Sequence, residues 1–345
     1  MTLPTRLHFM AATECFSSLI QAASGHTTAL FLSEKTAHEL KLLPVIEVMK
    51  AQGKVSWIKD IPESVITFND ESTQQAASLA DHDLFIAIGS FAVLDYAKRC
   101  SSNHEPPIKI AVLTGIDALS VLSTRIAVQD HDTIALVDAK AYDHAYFVTE
   151  TLRRLPLSDL LSDSLKALAL ASDAYWSKSS TKVTQVWSLQ AIRMLVKNLP
   201  ISLKNPDVYQ ARQQLLYGSL MSAMAVSNTL PGALSAVSTS LFYQVHLDQG
   251  LGSALILPDL LRINLSVLAN PEGLYDAFNI NNPEDLRNWL ETVSVSLGSM
   301  KLTDHGLSET DLHKLVTQSM LLGIIDNNPL PLTPAQLKSI LKLHL

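Results

Sequence analysis

The stretch "PGALSAVSTSLFYQVHLDQGLGSALILP", Pro231 to Pro258, decides how this chain is read. It is rich in small and aliphatic residues and continues, without a gap, from "SAMAVSNTL" before it into "DLLRIN" after it. Its polar side chains include Ser235, Thr239 and Gln249, and it holds one histidine, His246. That is the only histidine between residues 145 and 304.

The surroundings are helical. "LSDLLSDSLKALALASDAYWS" (Leu157 to Ser177) and "VYQARQQLLYGSLMSAMAVSN" (Val208 to Asn228) are long, Ala- and Leu-rich and helical in period. "SETDLHKLVTQSMLLGII" and "TPAQLKSILKLHL" carry the pattern to the last residue. Ser308 with Asp311 and Thr333 with Gln336 have the spacing of a capping box, which predicts helix starts at both places.

Before Leu155-Pro156 the texture differs. "TALFLS", "KVSWIK", "DLFIAIG", "IKIAVLT" and "TIALVD" are strand-length runs rich in Val, Ile and Phe. "TAHELKLLPVIEVMKAQG" and "FAVLDYAKRC", between them, have helical spacing. Strands alternating with helices predict a parallel sheet covered on both faces. The expected fold is therefore α/β plus all-α, with a Rossmann-like parallel-sheet domain over residues 1–155 and an all-helical domain over 156–345.

The bulk composition sets bounds. The chain has 345 residues, 47% of them hydrophobic and 17% charged, which is ample apolar material for two cores. A net charge of −7 with no Lys/Arg cluster argues against nucleic acid or an anionic membrane as partner. Cys15 and Cys100 are far apart and lack metal-type spacing, so two reduced thiols are expected. No signal peptide and no apolar stretch of about 18 residues is evident, so a cytoplasmic chain with no membrane span is expected.

Several ordered motifs resemble the iron-containing (group III) alcohol dehydrogenases, whose fold is shared by glycerol dehydrogenase and dehydroquinate synthase. "FIAIGSFAVLDYAK" (Phe85 to Lys98) resembles that family's strand, Gly-rich loop and helix ending in Asp, a variable residue, Ala-Lys. "TIALVDAKAY" followed by "LRRLP" resembles the lead into the helical domain, and "SDAYWS" sits where the family has Glu-Ala-Tyr and a small residue. Residues 222–264 match the pattern without a gap, and "NNPLPLT" resembles the Asn-Pro-Arg-Pro segment before the last helix.

The resemblance implies a divalent metal held by an Asp and a His four residues apart and by two later histidines, where it polarises the substrate oxygen. Carried onto this chain, those positions are Lys166, Leu170, Ser235 and Gln249, with Thr239 at an intervening family histidine. An ammonium, an alkyl group, a hydroxyl and an amide are not a transition-metal ligand set, so a divalent metal is not expected.

The resemblance also implies NAD(P) at a glycine loop on a helix N-terminus. Gly89, Ser90 and Thr114 are the residues it would place there, although Phe91 replaces a family glycine.

Two functions are weighed. The first is a divergent family member with degenerate sites, a ligand-binding protein or silent partner in which Lys166, Ser235, Thr239 and Gln249 bind a carboxylate or phosphate in the interdomain cleft. The alternative is an active NAD(P)-dependent alcohol or aldehyde oxidoreductase that works without the usual metal set. A homodimer or an active paralogue as partner follows by family analogy.

Overall fold

The computed structural model describes residues 5–61, 70–101, 108–131 and 133–345. The chain divides into two compact units, one ending at Leu155 and one running from Pro156 to Leu345.

In the first unit the strands are β1 (Arg6–Met10), β2 (Thr27–Phe31), β3 (Lys54–Ile58), β4 (Leu84–Gly89), β5 (Ile108–Leu113), β6 (Arg125–Asp130), β7 (Thr133–Asp138) and β8 (His144–Val148). The helices among them are α1 (Ala12–Ala23), α2 (Glu34–Glu39), α3 (Leu43–Gln52), α4 (Asp70–Ser78), α5 (Phe91–Ser101) and α6 (Leu119–Leu122). A six-stranded sheet has the order β1-β8-β5-β4-β2-β3, and every pairing in it is parallel. All six residues of β4, "LFIAIG", are buried, as a central parallel strand with both faces covered requires. One face packs on α1 and α3 through Cys15, Leu19, Ile46 and Met49, which meet Leu30, Ile86, Ile110 and Val112 of the sheet.

Because β3 and β4 lie on opposite sides of β2, the winding reverses there. In doubly wound sheets the carboxyl ends of the strands at such a reversal open a crevice, here beside Phe31 and Gly89.

One reading of the strands is corrected. "TIALVD" does not join the parallel sheet. It is β7, paired antiparallel with β6 in a separate two-stranded ribbon, and only Ile134 of its six residues is buried. The place beside β5 is taken by β8, "HAYFV", with four consecutive buried residues, and β8 also carries the edge strand β1. Burial on both faces, which hydrophobicity alone did not distinguish, separates the two.

The second unit is helical: α7 (Leu157–Trp176), α8 (Lys182–Lys204), α9 (Tyr209–Thr229), α10 (Ala233–Val245), α11 (Gln249–Asn264), α12 (Pro271–Phe278), α13 (Pro283–Ser294), α14 (Leu312–Leu321) and α15 (Pro334–Lys342). Helix α7 is its axis and packs on α8, α9, α10 and α11. Thr333 and Gln336 form the reciprocal capping box that starts α15. Ser308 and Asp311 bond to each other, but α14 begins only at Leu312, so they close a turn ahead of the helix instead of capping it. The helical run Gln249–Val267 is, by length and composition, apolar enough to cross a membrane, which corrects the reading that no stretch reaches that length. It is the core helix of this unit, with 72% of its apolar window buried.

Candidate functional site

In the helical unit, one helix fixes the starts of two others. The carboxylate of Asp173, fully buried on α7, accepts hydrogen bonds from the backbone N–H groups of Gly232 (2.9 Å), Leu234 (3.3 Å) and Ser235 (3.0 Å), and from the Ser235 hydroxyl (2.8 Å). These are orphan donors at the N-terminus of α10, where a carboxylate also meets the favourable end of the helix dipole. Burial pushes the Asp173 carboxyl up, and the four donors pull it part of the way back. Three turns earlier on α7, the Ser162 hydroxyl donates to Asp248 (2.6 Å), which caps α11 through the Leu251 N–H (2.9 Å). Gly250 lets α11 lie directly on α7, since a Cβ there would sit 2.2 Å from the Ser162 carbonyl oxygen.

Lys166 and Leu170 occupy α7 between these two clamps. Lys166 is half-buried and Leu170 is 5% exposed. Ser235 and Thr239 are one turn apart on α10, and Gln249 is the first residue of α11; all three are half-buried. The structure thus brings the four candidates onto three mutually packed helices. It also commits Ser235, which the resemblance would place at a family ligand position, to Asp173.

Sequence reasoning missed Asp173, Asp248 and Asn327. Asn327, from "NNPLPLT", donates its amide to the carbonyl oxygens of Thr229 (2.8 Å), Leu230 (2.9 Å) and Pro231 (3.1 Å). It thereby holds the elbow at which the chain bends by 107° between α9 and α10. Leu230 sits there at φ 66°, a conformation that a leucine adopts only when its surroundings impose it. The available signal was weak: Asp173 lies within "SDAYWS" and Asn327 begins "NNPLPLT", motifs that mark the family resemblance without showing what these two side chains hold.

In the sheet unit, Gly89, Ser90 and Thr114 do meet. Gly89 ends β4, its carbonyl accepts from the Thr114 N–H (3.1 Å), and Ser90 is exposed at the bend into α5. A Cβ on Gly89 would lie 2.6 Å from a Val93 methyl, so internal packing already requires glycine there. Lys98, in the "DYAK" segment, is fully buried. Its ammonium donates to the Ser123 carbonyl (2.8 Å), lies 3.8 Å from Asp95 and rests over the Tyr142 ring. Burial lowers its pKa while Asp95 opposes the shift. Lys98 props α5 against its neighbours from inside the unit.

The chain thus joins a parallel α/β unit to an α-helical unit built around α7. The sequence profile of the Fe-containing alcohol dehydrogenase family, C-terminal, matches residues 161–345, and the chain belongs to that family of oxidoreductases. The 1,3-propanediol dehydrogenase of Klebsiella pneumoniae is 27% identical over 186 residues, 50% of this chain and 48% of that protein. The NAD-dependent methanol dehydrogenase of Bacillus methanolicus is 24% identical over 276 residues, 76% of this chain and 71% of that protein. The chain spans about half the length of the 1,3-propanediol dehydrogenases it matches, from Klebsiella and from Citrobacter freundii (48% and 45%). In fold, the iron-containing alcohol dehydrogenase of Thermococcus thioreducens superposes with a TM-score of 0.85 at 19% identity, covering 100% of this chain and 99% of that one.

The family's metal does not fit the residues present. Lys166 offers an ammonium, Leu170 an alkyl chain, and Ser235 a hydroxyl already donating to a carboxylate. His246 ends α10 in the left-handed region and is exposed. Among the described residues, no group of three or more His, Cys, Asp or Glu is arranged to hold a metal ion.

Proposed function

We propose that this chain is a family member that has given up metal-dependent hydride transfer and serves as a ligand-binding or partner protein. The observation that carries the reading is the Asp173–Ser235 bond: at a family ligand position the side chain is spent on capping α10. The half-buried Lys166 ammonium on α7 supplies a positive charge, which suits a carboxylate or phosphate on a small ligand better than a cation. A homodimer or an active paralogue is the partner proposed. β1 lies at the edge of the described sheet, the kind of strand that a second chain can extend. The reading includes a cytoplasmic location, in keeping with two buried free thiols that burial holds at a pKa of about 12.

Two measurements on chain purified without chelator test this reading together. Stoichiometric iron or zinc that survives substitution of surface histidines, combined with alcohol-dependent reduction of NAD or NADP, overturns it. No turnover, with a thermal shift on adding small carboxylates or phosphates that Lys166→Met abolishes, supports it.

An active NAD(P)-dependent alcohol or aldehyde oxidoreductase is the second reading. It rests on the exposed Ser90 bend between β4 and α5, beside the point where the sheet reverses. Calorimetry with NADH and NADPH at millimolar concentration decides it: absence of heat removes this reading.

A further inference from the structure

The edge of the sheet carries a pair of imidazoles in contact across β1 and β8. His8 projects from the middle of β1 and His144 from the first position of β8. In the parallel register His144 stands opposite Arg6, and His8 opposite Tyr146, so the two imidazoles approach on the diagonal. His8 Nε2 and His144 Nδ1 are 3.0 Å apart, with ring planes inclined by 34° and both rings only half-buried. The Tyr146 ring meets His8 edge-on at 5.1 Å and backs it from the sheet side.

One proton now lies between the two nitrogens, so one donates and the other accepts. A metal ion replaces that proton if both rings turn so that their lone pairs converge on a point off the line between the nitrogens. Two ligand nitrogens at about 2.0–2.1 Å from a metal and at a right angle to each other are separated by roughly 2.9–3.0 Å. A tetrahedral angle would spread them to roughly 3.4 Å. The observed spacing therefore matches cis positions in a tetragonal site, the geometry of Cu(II) and Ni(II), and imidazole is a preferred ligand of both. Coordination requires the neutral ring. The exposed Arg6 guanidinium adds repulsion that solvent and salt screen.

We propose that His8 and His144 form a two-imidazole site for a divalent transition metal, Cu(II) or Ni(II), clasping the edge strand β1 to β8. The remaining coordination positions face solvent and are open to water or a small ligand. Nothing in this proposal depends on the family metal position, which lies in the other unit on α7, α10 and α11.

The probe is Cu(II), added to the full chain at neutral pH in the presence of glycine as a weak competitor. The expected result is one tight equivalent per chain with nitrogen hyperfine structure in its electron paramagnetic resonance spectrum. His8→Ala and His144→Ala should each weaken it at least tenfold, while His246→Ala leaves it unchanged. Should either strand variant fail to fold, histidine side-chain NMR of the unaltered chain serves instead: paramagnetic broadening must strike His8 and His144 first. Binding that survives both substitutions, broadening centred on other histidines, or no tight equivalent at all overturns the site. The double variant also separates this metal from any held at the family position.

Discussion

Replacing Gly250 by alanine tests the packing on which the helical site depends. The added Cβ would lie 2.2 Å from the carbonyl oxygen of Ser162, 2.7 Å from its Cα and 2.8 Å from its carbonyl carbon. All three are backbone atoms of α7, so no side chain can swing aside. Relief requires α11 to retreat by roughly 1 Å, which removes dispersion contacts along the seam. Overpacking of this kind costs about 1–3 kcal/mol, and more where backbone is the obstacle. The same retreat stretches the Ser162–Asp248 hydrogen bond, now 2.6 Å, whose loss adds about 1 kcal/mol. The expected destabilisation is therefore about 2–4 kcal/mol. In urea, with an m-value near 3 kcal/mol/M for a unit of this size, the helical transition should move to lower denaturant by about 1 M at unchanged slope. Gly306→Ala is the control. It stands at φ +80° with no atom within 4 Å of a built Cβ, so only backbone strain of about 1 kcal/mol is expected. A Gly250→Ala shift no larger than that of Gly306→Ala would refute the close approach of α7 and α11.

Further outcomes follow from the same structure. Asp173→Ala strands the N–H groups of Gly232, Leu234 and Ser235 at the start of α10, and should lower stability by at least about 3 kcal/mol in chemical unfolding, with loss of helical circular dichroism. Gly89→Ala should cost about 1–3 kcal/mol through the 2.6 Å approach to Val93, and adding Val93→Ala should recover part of that loss; a double variant no more stable than the Gly89→Ala single would remove the packing account of this glycine. Burial alone would push Asp259 up, but hydrogen bonds from His344 (2.9 Å) and Arg287 (2.7 Å) outweigh it and bring its pKa below 3.8. A lowered carboxylate pKa stabilises the fold above the ordinary carboxylate range, and the contribution is lost as pH falls through the folded value. Acid titration of the helical signal should thus show a loss below pH 3.8 that Asp259→Asn flattens.

The sequence by itself determined the class of both halves. "LFIAIG" could bury every residue only as an inner parallel strand, and the long Ala- and Leu-rich segments had only a helical period available to them. It also named the residues that the resemblance places at the family ligand positions, Ser235 and Gln249 within the ungapped run 222–264 and Lys166 and Leu170 by anchoring on "DAYWS". Only the tertiary structure decided how those residues are used. Ser235 and Asp173 are 62 residues apart, and Asn327 reaches back 98 residues to Thr229. Contacts of that span leave no periodic trace in the chain. Strand pairing shows the same division. "TIALVD" and "HAYFV" are both short, mostly apolar runs, and their places were settled by which neighbours each could pair with and bury against, a property of the assembled sheet and not of either segment.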